Sequence, residues 1–75
     1  MLTVEYNKIR KRIEIYCDSE GLEILINKLN SLKKNKGHTH LMTPSWAGYE
    51  LTEEKQGGER NILINHLKII MKSEW

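Results

Sequence analysis

The chain has no phenylalanine, one proline, one cysteine and almost no charge imbalance, with twelve basic residues against ten acidic ones and a formal +2. Each shortage excludes something. A single thiol, Cys17, forms no intramolecular disulfide, so the disulfide framework usual in small secreted domains is ruled out and a reduced, cytoplasmic setting is expected. No apolar run is long enough to span a bilayer. Glu5, Asn7 and Lys8 interrupt the start where a signal peptide would carry its apolar core, so no membrane partner is expected. The near balance of charge leaves no broad basic footprint for nucleic acid. Without phenylalanine, Leu and Ile must fill the core, and a chain of 75 residues buries only roughly 60% of its unfolded surface, so that core is thin.

What is present has clear periodicity. Leu2 to Tyr6 alternates apolar and polar residues as a half-buried strand does, Asn7 and Lys8 suit a turn, and Arg12 to Cys17 alternates again with Ile13, Ile15 and Cys17 on one face. This reads as two strands in a hairpin, or one long strand with a bulge, and places Cys17 as a buried, inert thiol. Asp18-Ser19 is an N-cap pair, and Leu22, Leu25, Ile26, Leu29 and Leu32 then recur at helical spacing. Glu20, Glu23, Asn27, Lys28, Asn30 and Lys34 fall on the opposite side, Lys33, Lys34 and Lys36 complement the helix dipole, and Gly37 supplies a stop.

After Gly37 the residues His38 to Thr43 alternate as a strand, Pro44 ends it, and Ser45 to Gly48 is a loop. Tyr49 to Thr52 reads as a further short strand, Gln56 to Arg60 as a flexible turn, and Asn61 to Lys72 as a strand because it is rich in isoleucine and a lone helix needs a sheet to bury it. Trp75 is expected to fray. The whole is one α+β domain over residues 1–75: a mostly antiparallel sheet of four to five strands with one amphipathic helix across one face, in the order ββαββ(β). The second sheet face is either wet or a partner surface.

Residues 37–48 concentrate the polar rings. His38 and His40 project from one face of a strand, and with His66 from a neighbouring strand they would suit either a three-ligand metal site or acid–base processing of nucleic acid, with Arg60 or Lys68 positioning a phosphate. Ser45 lacks the glycine frame of a hydrolase nucleophile. Trp46 either folds back to cap the core edge or stands out as a partner anchor.

His38 through Gly48, followed by Glu50-Leu51 and Asn65-His66-Leu67-Lys68-Ile69, resembles the immunity protein 32 family of bacterial polymorphic toxin systems. Ile13 to Tyr16 leading into Asp18-Ser19-Glu20-Gly21-Leu22 fits the same pattern, so the likeness covers nearly the whole chain. That pattern often carries two glycines after the tryptophan, where this chain has Ala47-Gly48. The resemblance implies a cytoplasmic protein without catalytic residues, metal or cofactor, which binds and neutralises a cognate protein toxin. The groups available to such a surface are His38, His40, Ser45, Trp46, Tyr49, Glu50, Asn65 and His66. The slight positive balance points away from an acidic nucleic-acid decoy and towards an acidic or neutral toxin surface. An edge strand also leaves room for a homodimer.

Overall fold

Asn7 folds the first hairpin. Its Oδ1 accepts hydrogen bonds from the amides of Ile9 and Arg10, at 3.0 and 2.8 Å, and Lys11 adopts a left-handed φ of 54° to complete the turn. Strand β1 (Leu2–Asn7) thereby meets β2 (Arg12–Cys17) in an antiparallel ladder from Asn7 opposite Arg12 to Leu2 opposite Cys17. This is a computed structural model, and it describes residues 1–72; Trp75 lies outside the described residues.

Helix α1 spans Ser19–Asn35, capped by Asp18, whose Oδ1 accepts the Gly21 amide at 2.9 Å. The helix ends one residue before Gly37, at Lys36, which takes a φ of 61° and sends its amide to the Leu32 carbonyl at 2.7 Å. Rotation about the helix axis is fixed at Gly21: a Cβ there would lie 1.7 Å from the Met1 carbonyl oxygen, so only glycine lets α1 approach β1 this closely. That contact corrects the expected stripe. Gly21, Ile24, Leu25, Lys28 and Leu32 turn inward, whereas Leu22, Ile26 and Leu29 stay 46%, 40% and 45% exposed. Lys28, expected on the polar side, reaches Glu50 at 3.4 Å instead.

The remaining strands are β3 (Gly37–Met42), β4 (Asn61–Ile64) and β5 (His66–Met71), with a short 3-10 turn at Pro44–Trp46. Among the described residues, one helix and five antiparallel strands fold, as expected for an α+β chain, but the strands divide into a three-stranded sheet ordered β2-β1-β4 and a two-stranded sheet of β3 and β5. The strand expected over residues 61–72 serves both sheets, and Asn65 is the corner. Up to Ile64 the chain pairs with β1; from Asn65 it pairs with β3, the Asn65 carbonyl accepting the Thr43 amide at 3.0 Å.

The strand expected at 49–52 does not form, because that segment bridges the two sheets and makes only one backbone-to-backbone hydrogen bond with each. Leu51 donates its amide to Met42 on β3 at 3.2 Å and Thr52 donates to Leu2 on β1 at 2.7 Å. Between them the Leu51 side chain completes a buried cluster with Leu2, Val4 and Leu41, flanked by Ile24, Leu25, Ile64, Leu67 and Ile69. Each fully buried leucine contributes about 2 kcal/mol. Because α1 sits over β1, the outer row of β2 is left uncovered: Cys17, expected to be buried, is exposed, and so are Ile13 and Ile15.

Candidate functional site

Alternation along β3 and β5 sends Leu41, Leu67 and Ile69 to the core and His38, His40, Met42, His66, Lys68 and Ile70 to the other face of the small sheet. The register sets His40 opposite Lys68 and Met42 opposite His66, so His40 and His66 are diagonal neighbours. Their rings meet: His40 Nδ1 and His66 Nε2 are 2.6 Å apart, with centroids at 4.9 Å. His38 stands edge-on to His40 at 4.9 Å, and Trp46 lies 6.0 Å from His66. Four rings therefore run in one line, His38-His40-His66-Trp46. They stack edge-on and tilted, and among the described residues no group of three or more His, Cys, Asp or Glu is placed to hold a metal ion.

A nitrogen-to-nitrogen contact of this length holds one proton between the two rings, with one nitrogen donating and the other accepting. Partial burial, then the positive charge of His38, His66, Lys68 and Lys28, holds the His40 imidazole below its ordinary 6.5. At neutral pH that ring is uncharged and keeps its hydrogen-bonding capacity for a neighbour.

The turn beneath Trp46 is tied at every residue. Thr43, itself buried, accepts the amides of Trp46 and Gly48, both at 2.9 Å, and its hydroxyl donates to Asn65 Oδ1 at 2.8 Å. Ala47 sits in the left-handed region at φ 65°, the conformation that a glycine after the tryptophan would take without strain. Gly48 has no substitute, since a Cβ there would come within 2.3 Å of the Met42 carbonyl oxygen. The indole carried on this turn is 54% exposed, so of the two readings of Trp46 the structure shows the outward one.

The eight candidate groups thus divide. His38, His40, His66 and Trp46 share one surface, and Asn65 supports it from below through Thr43. Ser45 stands on the same turn with its amide held by the Glu53 carboxylate. Tyr49 is 79% exposed beside a cleft of about 270 Å³ that it lines with Ile24, Asn27, Lys28, Ser31 and Glu50. Glu50 points inward: it is buried, accepts the Met42 amide at 3.0 Å and pairs with Lys28. Burial pushes its carboxyl up, but the Met42 amide, the Glu50 backbone and Lys28 outweigh that and leave it below the usual range.

A second polar cluster lies on the large sheet and had no signal beyond strand alternation. Glu5 is fully buried, and its carboxylate accepts the Thr3 hydroxyl at 2.6 Å, the Gln56 and Gly57 amides at 2.8 and 2.9 Å, and Asn61 Nδ2 at 2.9 Å. The same Nδ2 reaches Glu14 at 3.0 Å, bridging two carboxylates that the register sets directly opposite each other. Asn61, with Arg12 and Tyr16, holds Glu14 down at about 2. Both Glu5 oxygens and both Glu14 oxygens accept from their own chain, so the carboxylates close the loop over the sheet, while the buried Asn61 Oδ1 is left without a partner.

Fold and face together define a small α+β protein with an exposed histidine and tryptophan line on its two-stranded sheet. The model of the family Immunity protein 32 matches residues 12–67, three quarters of the chain, and the chain belongs to that family. No curated protein and no solved structure matches it. No helix among the described residues is long and apolar enough to cross a membrane.

Proposed function

We propose that this chain is a cytoplasmic bacterial immunity protein that binds a cognate protein toxin and blocks it by occlusion, without catalysis and without a cofactor. The observation that carries the assignment of the surface is the convergence of His38, His40 and His66 with a half-exposed Trp46 on a turn held by Thr43 and Asn65. The family match supports the class of partner. A rigid indole is a strong interface anchor, and the imidazoles around it supply hydrogen-bonding groups. Lys68, opposite His40, gives the face a positive rim that suits an acidic toxin patch. Co-expression with the toxin gene adjacent to this one tests the reading: the wild type protects the cell, and Trp46→Ala combined with His66→Ala abolishes protection while leaving the circular dichroism spectrum unchanged. Full protection by that double variant would move the binding surface elsewhere.

The His40–His66 contact beside Lys68 also favours a second reading, in which one imidazole removes and the other returns a proton at a phosphodiester. Incubation of the purified chain with RNA decides it. Cleavage that disappears in His66→Ala would establish an enzyme; intact RNA would eliminate one.

A further inference from the structure

Strand β2 is an edge, with β1 on one side and no backbone hydrogen bond to any other element on the other, among the described residues. Asp18 donates its amide to the Met1 carbonyl, which fixes the phase of the ladder: Arg12, Glu14 and Tyr16 turn their backbone groups towards β1, and Ile13, Ile15 and Cys17 turn theirs outward. The side chains of those same three residues form an uncovered apolar row, with Ile13 and Ile15 57% and 47% exposed. Neither a proline nor an inward-pointing charge protects this edge.

We propose that β2 pairs antiparallel with β2 of a second copy of this chain, joining two three-stranded sheets into one of six strands. The charges choose the register. Outward-facing backbone groups sit only on odd-numbered residues, so the two-fold axis passes through a residue; an axis at either end of the strand runs into the turn or the helix, and one through Tyr16 sets Glu14 against Asp18, which leaves Glu14, Ile15 or Ile13. An axis through Glu14 sets two carboxylates face to face, and an axis through Ile13 sets Ile15 against Lys11, which lies in the turn at φ 54°. An axis through Ile15 sets Ile15 against Ile15, Ile13 against Cys17, Glu14 against Tyr16, and Arg12 against the acidic Asp18. It satisfies all the outward groups of the strand with about six inter-chain hydrogen bonds.

Strand pairing alone is a small contact, and the helix supplies the rest. Asn27 and Ser31 face Tyr49 and Glu50 on one flank of α1; Leu22, Ile26 and Leu29 lie about half a turn round the helix, on the flank towards β2. In the dimer the two stripes face each other across a floor of Ile13 and Ile15 from both copies, which gives the isologous interface that two-fold symmetry demands. The His38-to-Trp46 line belongs to the other sheet and stays open.

Sedimentation of the purified chain is expected to give twice its 8.8 kDa, and Ile15→Lys, at a half-exposed position, is expected to halve that mass without changing the circular dichroism spectrum. Cross-linking then tests the register. Ile15→Cys with Cys17→Ser forms a disulfide dimer on mild oxidation, because paired Cα atoms about 5.5 Å apart suit the bond, and Glu14→Cys with Cys17→Ser does not. A monomeric wild type, a folded Ile15→Lys variant that stays dimeric, or cross-linking through position 14 in place of position 15 would each overturn the proposal.

Discussion

The two sheets use the same alternation of polar and apolar residues to opposite ends. On the large sheet the polar face carries Thr3, Glu5, Glu14 and Asn61, and it is closed by the loop at Gln56 and Gly57, with the Glu5 carboxylate accepting four hydrogen bonds from its own chain. On the small sheet the polar face carries His38, His40, His66 and Lys68, of which His38, His66 and Lys68 are exposed; the rings touch one another and Trp46. Polarity alone therefore does not mark a site. A polar group whose partners are supplied internally holds the fold together, and one whose capacity is left open is free for another molecule.

The sharpest way to break this comparison is to remove the centre of the closed face. Glu5→Ala strands the Gln56 and Gly57 amides and Asn61 Nδ2 without an acceptor, and it is expected to cost about 3 kcal/mol in urea denaturation, much of the stability of so small a domain. A loss below about 1 kcal/mol would mean that water replaces the carboxylate and that this face is not closed. Trp46→Ala is the mirror experiment on the open face. It is expected to change stability by less than about 0.5 kcal/mol while weakening toxin binding by about 2 kcal/mol, roughly thirtyfold, as measured by calorimetry.

How far this contrast could be read beforehand depends on the range over which each feature is decided. The hairpin, the Asp18 cap and the strand character of residues 61–72 were legible because they rest on local spacing and turn chemistry. The rotation of α1 was not: it is set by a backbone contact between Gly21 and Met1, so Leu22, Ile26 and Leu29 match the periodicity of a buried stripe and are nevertheless exposed. Cys17 fails for the same reason, since alternation places it on the helix side of the sheet but not under the helix. The segment 49–52 has strand-like composition and is recruited as a bridge, and Glu50 within it becomes an internal partner for Lys28. The meeting of His66 with His40 depends on a strand register that composition does not encode.

Acid separates the two faces by pH. His40 has a folded pKa below 6.5, so the folded state takes up its proton less readily than the unfolded chain; the stability it contributes is complete above pH 6.5 and declines as pH falls through the folded value. Glu14 is lowered from 4.5 to about 2, so its contribution is complete above pH 4.5 and is lost between there and about pH 2. Toxin binding is therefore expected to change first, as pH falls through the lowered His40 value and the ring ceases to be a neutral hydrogen-bonding partner, with the fold failing only in the second window. Histidine resonances followed by NMR alongside thermal melts would check the order, and coincident transitions would join what the geometry keeps apart.

The smallest effect concerns the hinge of the open face. Ala47 holds φ 65° at the C-terminal end of the turn that carries Trp46, a conformation costing a non-glycine residue about 1 kcal/mol. Ala47→Gly is expected to relieve that strain but to gain unfolded-chain entropy that offsets about half of it. The net expectation is a rise of about 0.5 kcal/mol in stability, read from the urea midpoint. Binding separates the two roles of the turn. If the Thr43 and Asn65 hydrogen bonds alone hold the indole in place, affinity for the toxin is unchanged in Ala47→Gly. If the methyl group of Ala47 also restricts the turn before binding, affinity falls while stability rises, and the open face would then owe its order to local stiffness, where the closed face owes its order to hydrogen bonds.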